Sequence, residues 1–208
     1  MKRLLIYIVI STFLFSCVQH SQPKAVVKKE EALKPYKAIE LVDTLVSVYP
    51  NLFVNDIQNE RFLQFLHLEL DKRLSEDNSF LYEIPVQFSQ MLKKGNNKYI
   101  LKFECGKYST DDKRLKSEKS KTEINYAIFT EVDADFASTL ENNALYMLKG
   151  RYKGYVNGKL RLPSGKVFNY NSNCYKTSSN TYGSVCLGGF LFDNISVKKT
   201  TLSEAKHL

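Results

Sequence analysis

The chain has 208 residues, with 30 Lys and Arg against 22 Asp and Glu for a net charge of +8, and 13 Tyr and 13 Phe but no Trp. That length suits one domain, at most with a small subdomain, and the aromatic and β-branched content is enough to build a core. The charge is too diffuse to argue for nucleic acid on its own. Three His with no Cys-x-x-Cys argue against a zinc site, and GxSxG, HExxH, P-loop and GxGxxG motifs are all absent.

Lys2 and Arg3 precede an apolar run from Leu4 to Ser16. A membrane-spanning helix needs about 20 apolar residues, so this run is too short to span and has the form of a secretory signal. It ends Leu14-Phe15-Ser16-Cys17, which resembles the lipobox of bacterial lipoproteins: a leucine three before the cysteine and a small residue just before it. Phe15 is larger than that family's usual residue. The resemblance implies a signal peptide over 1–16, cleavage after Ser16, a diacylglycerol on Cys17 and acylation of the new amino end. The membrane would then be a partner through N-terminal acyl chains, two or more of which hold stably. Val18 stands where an aspartate would retain some lipoproteins at the inner membrane, so the resemblance favours the outer membrane of the cell envelope. A plain signal peptide with an incidental cysteine is the alternative. Loss of Lys2 and Arg3 lowers the net charge from +8 to +6.

Residues 17–40, with two prolines and mixed charge, read as the lipidated cysteine and a tether. Residues 41–97 read as a helical subdomain. Leu41, Leu45 and Val48 fit a short helix or an entering strand, stopped at Pro50. From Asn59 to Leu74 the spacing predicts a helix: Phe62, Leu66, Leu70 and Leu74 recur every four residues, with Leu63 and Phe65 widening the stripe. Asn59 is the expected N-cap, and His67 is expected to be packed or half-exposed on the flank.

Residues 98–200 read as β-rich, with 201–208 as a tail. "KYILKFEC" alternates Tyr99, Leu101, Phe103 and Cys105 against Lys98, Ile100, Lys102 and Glu104, a half-buried strand. Residues 109–123 read as an exposed charged loop and "INYAIFTEV" as a strand. "DADFASTLEN" reads as a helical turn or two, with Asp133 and Asp135 as its negative cap rather than an acid–base pair. "ALYMLKGRYKGYV" is a strand bulged at Gly150 and Gly154. "GKLRLPSGKVFNY" is a hairpin, and "LGGFLFDNISVKKT" a last strand with a bulge at Gly188-Gly189.

The order strand, strand, short helix, strand, final strand over about residues 98–200 resembles the oligonucleotide/oligosaccharide-binding (OB) fold, a small Greek-key barrel with a short helix between its third and fourth strands. The expected class is therefore α+β: an N-terminal helix packed on an antiparallel sheet or an OB-like barrel.

Cys105, Cys174 and Cys186 remain after Cys17, and export places them where disulfides persist. Cys174 and Cys186 flank one polar loop, and a bridge between them would contribute roughly 3 kcal/mol in the chain-entropy model. Cys105 is expected to be a buried thiol. One constellation could bind a ligand: Arg151, Tyr152, Lys153 and Tyr155, with Tyr170, Tyr175, Lys176 and Tyr182. Tyrosine faces stack on sugars or bases, and the cations could hold phosphate or carboxylate. A strand edge and a tied loop also use Tyr freely. No cofactor or metal is implied. The expected function is non-enzymatic: an envelope lipoprotein contacting a protein or glycan, or else an OB-like module for an oligosaccharide or oligonucleotide.

Overall fold

The computed structural model describes residues 34–106, 112–156, 158–161, 165, 167–170, 172–176 and 182–205. Cys17, the segment before it and the tether through residue 33 lie outside the described residues.

The first helix, α1, runs Lys37–Val48, which decides for helix where the sequence left helix or strand open. It buries Ala38, Ile39, Leu41, Val42 and Leu45 at helical spacing. Tyr36, Ala38 and Ile39 are buried although they precede the expected start at residue 41; in sequence, two lysines beside them mask the stripe. Tyr49 breaks the helix, as the residue before Pro50 should.

The second helix, α2, spans Asp56–Glu76, longer at both ends than expected. Its N-cap is Asn55, whose Oδ1 accepts from the Gln58 amide at 3.0 Å. Asn59 is not the cap: its Nδ2 donates to the Cys174 carbonyl at 2.9 Å. Phe62, Leu66, Leu70 and Leu74 are buried in one cluster with Phe88, Phe103, Tyr126, Phe190 and Phe192 from the strands. Phe65 does not widen that stripe, being 46 % exposed. No described helix is long and apolar enough to cross a membrane.

Among the described residues nine strands follow: β1 Val86–Gly95, β2 Lys98–Cys105, β3 Lys116–Ser117, β4 Thr122–Asp133, β5 Leu145–Val156, β6 Gly158–Arg161, β7 Val167–Tyr170, β8 Asn173–Lys176 and β9 Gly183–Thr200. Seven form a sheet in the order β3-β4-β2-β1-β5-β9-β8, while β6 and β7 pair separately. All pairings are antiparallel except that of β4 with β9, which runs parallel from Thr122–Gly183 to Thr130–Phe192. Two short helices accompany them among the described residues, α3 Ala134–Ser138 between β4 and β5, and α4 Leu202–Ala205. The chain is thus a mixed α+β protein built on a large, mostly antiparallel sheet.

Strand β1 was not expected, because only Val86 and Phe88 of its ten residues are buried. Its link to β2 is Gly95-Asn96-Asn97, all three at positive φ (132°, 37°, 63°), which Gly and Asn adopt at least cost. In β5 the register shifts fall at Lys149/Arg151 and Tyr152/Gly154, at the two expected bulge points. Along β4 the side chains alternate. Ile124, Tyr126, Ile128 and Val132 enter the large core, while Ala127 and Phe129 join Ile100 and Phe168 in a smaller cluster. The β6–β7 hairpin supplies Phe168, whose ring lies 5.3 Å from that of Phe129.

Residues 112–123, the described part of the expected 109–123 loop, are more than an exposed loop. Asp112 and Arg114 are buried beside a 3-10 turn over Lys113–Leu115. The Arg114 guanidinium donates through Nε to Asp112 Oδ1 and through a terminal nitrogen to Oδ2, both at 3.0 Å, and to the Ala205 carbonyl at 2.9 Å. The Tyr36 hydroxyl donates to Asp112 Oδ2 at 2.8 Å. This cluster joins the entry of the domain, the loop and the last helix. Asp133 sits at the N-cap of α3 without a side-chain cap bond and pairs with Lys98 instead.

Cys105, Cys174 and Cys186 are free and buried, with no bond between Cys174 and Cys186 where the sequence suggested one. The reason is register. Cys174 lies opposite Val185 and Asn173 opposite Cys186, so the two cysteines are out of phase and face opposite sides of the sheet. Cys174 joins the large core, and the Tyr170 hydroxyl meets Cys186 on the other side. We therefore expect alkylation without reductant to modify all three thiols once the chain is unfolded. A Cys174–Cys186 peptide recovered without reductant would contradict this register.

Candidate functional site

The C-terminal end of β2, the start of β4, β7, β8 and the start of β9 enclose a cleft of about 270 Å³, lined in part by Glu104, Glu123, Asn125, Tyr170, Tyr175 and Ser184. Strand alternation points Lys102 and Glu104 of β2 and Glu123 and Asn125 of β4 away from the large core. Gly106, at φ +99°, passes so close to β4 that a Cβ there would sit 2.6 Å from Asn125 Cβ.

The polar groups of the cleft are paired with one another. Glu104 forms an ion pair with Lys102 at 2.6 Å, both side chains 13 % exposed, and Glu123 lies 3.9 Å from Lys116. Asn125 donates to Ser184 Oγ at 2.9 Å and accepts from the Tyr170 hydroxyl at 3.4 Å. The Lys102 ammonium stands 5.1 Å over the Tyr170 ring, and that ring meets Phe129 edge-on. Burial, then Cys186, pushes the Tyr170 phenol well above its ordinary value. Tyr170 is therefore a neutral, fixed floor. Tyr175 is the accessible aromatic, 45 % exposed. Burial pushes the Cys174 thiol up to about 12 and the Cys186 thiol up as well, so neither is a thiolate nucleophile at neutral pH.

Of the eight expected ligand-binding residues, the structure brings Tyr170 and Tyr175 together in this cleft. Tyr182 lies at its rim: Lys116, the partner of Glu123, stands 5.8 Å from the Tyr182 ring, and the Tyr182 hydroxyl bonds to Glu118. The Lys176 side chain is outside the described residues. The four residues of β5 turn elsewhere. Arg151 grips Asp193 with two bonds, at 2.9 and 2.7 Å, and Lys153 approaches the same carboxylate at 3.6 Å. The Tyr152 hydroxyl donates to Asp71 of α2 at 2.7 Å.

Tyr155 meets His67 of α2, its hydroxyl 2.8 Å from His67 Nε2. Burial lowers the His67 pKa and raises that of Tyr155 to about 12. The contact therefore joins a neutral phenol to a neutral imidazole, and His67 is half-buried as expected. A Cβ on Gly188, at φ +95°, would run into that hydroxyl.

Sequence reasoning missed Lys102, Glu104, Glu123, Asn125 and Ser184. The signal was present in the alternation of β2 and β4, but their shared face depends on the Cys105–Tyr126 register. Among the described residues no three His, Cys, Asp or Glu gather as a metal site requires. Comparison with protein-family models, curated proteins and solved structures finds no significant match.

Proposed function

We propose that this chain is a lipid-anchored protein of the bacterial cell envelope whose OB-like domain binds a neutral glycan in the Tyr170–Tyr175 cleft, without catalysing a reaction. The OB-like reading is supported by pairing order. β1 pairs with β2, β2 with β4, β4 with β9, β9 with β5, and β5 with β1, with α3 between the third and fourth of these five strands in sequence. Their closure into a small helix-covered barrel is part of this proposal. OB folds bind along the face of their second and third strands and the adjacent loops; here those strands are β2 and β4, where the cleft lies.

The observation that carries the reading is the charge balance of the cleft. Each lining carboxylate has a lysine partner, and the remaining groups are an amide, hydroxyls and one exposed aromatic face. Such a surface hydrogen-bonds and stacks with a polyhydroxyl ring. Among the described residues it offers no surplus cation for a phosphate chain, whose binding would be strongly salt-dependent. The test is equilibrium binding to an array of neutral oligosaccharides. Tyr175→Ala should weaken the best ligand about tenfold, the scale of one lost aromatic stack, with little dependence on salt. Salt-sensitive binding of single-stranded DNA with no glycan bound would sink the proposal.

The anchor has its own test. Metabolic labelling with a fatty-acid probe should mark the wild-type protein and leave Cys17→Ala unlabelled. Equal label in the two would remove the lipoprotein reading and leave the cleft untouched.

A further inference from the structure

A second concavity, well separated in sequence and chemistry from the cleft, lies where α1 enters the domain. It is a groove of about 910 Å³ between the start of α1, Tyr82, the first half of β5 and the end of β9. Tyr82 and Met147 give it an apolar wall, with the edge of buried Tyr36 at its end. Its charge is one-sided among the described residues: Lys34, Lys37, Arg114, Lys149 and Lys198 line it, against the one carboxylate of Glu83.

The cations differ in how far they are satisfied. Arg114 is neutralised by Asp112, and Lys34 stands 4.0 Å from Glu40. The Glu83 carboxylate accepts from the backbone amide of Lys37 at 2.8 Å, capping the start of α1. Elsewhere on the same two strands each cation has its partner, as Lys153 has Asp193 and Lys199 has Glu141. Lys149 and Lys198, which face the groove, form no ion pair among the described residues. Lys149 lies opposite Ser196, and Met147 opposite Lys198, so the two lysines are diagonal neighbours on one face of the sheet. Like charges so placed repel, and an anion between them would relieve the repulsion.

From the unmatched lysine pair beside an apolar, Tyr-lined wall, we infer that this groove binds an anionic amphiphile, its phosphate or carboxylate held by Lys149 and Lys198 and its apolar body lying on Tyr36, Tyr82 and Met147. A small inorganic anion would leave the wall unused, and a neutral lipid would leave the lysines unmatched. This inference does not rest on the glycan cleft.

The test is photo-crosslinking of the full chain in phosphatidylcholine nanodiscs with diazirine-bearing hexadecanoate, the adducts being mapped by peptide mass spectrometry. Adducts are expected on peptides carrying Tyr36, Tyr82 or Met147. Labelling should fall about tenfold in K149E/K198E, the scale on which reversed charges shift an equilibrium, and should fall also in K149Q/K198Q, which adds no new charge. Phosphatidylglycerol added to the nanodisc distinguishes the sources: suppressed labelling assigns the site to a membrane lipid, unchanged labelling to a free amphiphile, and either supports the inference. Equal labelling by diazirine-bearing hexadecanol, labelling unaffected by both variants, adducts confined to other peptides, or displacement by inorganic phosphate as effective as by unlabelled hexadecanoate would each overturn it.

Discussion

Asp112→Ala should destabilise the protein by about 3–5 kcal/mol, the cost of removing one partner of a buried ion pair. The carboxylate is fully buried and takes two bonds from the Arg114 guanidinium and one from Tyr36. Its loss leaves a guanidinium 8 % exposed with only the Ala205 carbonyl, and a Tyr36 hydroxyl without an acceptor. Denaturant unfolding of the two proteins measures the difference. The double change Asp112→Leu with Arg114→Met should cost far less than the single one, because paired charges exchanged for apolar groups leave nothing orphaned. Acid should act in the same direction. Burial alone would raise the Asp112 pKa, but the hydrogen bonds from Arg114 and Tyr36 outweigh it and hold the carboxyl below its ordinary value. This contribution is therefore present in full above the unfolded value of about 4 and is lost as pH falls through the lower folded value. A single mutant as stable as wild type would mean that the cluster is solvated.

Leu66→Ala should cost about 2–5 kcal/mol, a core truncation with its cavity. Leu66 is buried completely, one helical turn from Phe62 and from Leu70, in the cluster that includes Phe88, Phe103, Tyr126 and Phe190. The same helix is tied to the strands by polar bonds, Asn59 to the Cys174 carbonyl, Asp71 to Tyr152 and His67 to Tyr155. Thermal unfolding of the full chain should show the shift, and Leu66→Met, which nearly conserves volume, should recover most of it. An unchanged midpoint for Leu66→Ala would make α2 a detachable helix.

Elements with a strong local period were legible in the sequence. The four-residue recurrence from Phe62 to Leu74, the alternation of β2 and the glycine bulges of β5 depend on neighbours a few residues apart, and each lies where its spacing puts it. Features set by long-range register were not. The Cys174–Cys186 bridge looked favourable as loop closure, but facing depends on which residue of β8 meets which residue of β9. The Arg151–Tyr155 run was read as one cluster with the Tyr-rich loop, yet its side chains are claimed by Asp193, Asp71 and His67, all distant in sequence. The cleft's own carboxylates and amide came from strand positions that looked like ordinary solvent-facing residues. Asp112 and Arg114 were hidden in a run of charges, where nothing local distinguishes a buried pair from solvated ones.

Glycan binding in the cleft is tested most directly by hydrogen exchange of the full chain, read by mass spectrometry, with and without the best-binding neutral oligosaccharide. Protection is predicted at residues 104–106, 123–125 and 173–176, persisting at high salt and absent in Tyr175→Ala. Protection confined to other segments, or none with any neutral oligosaccharide while single-stranded DNA protects these strands at low salt, would contradict it.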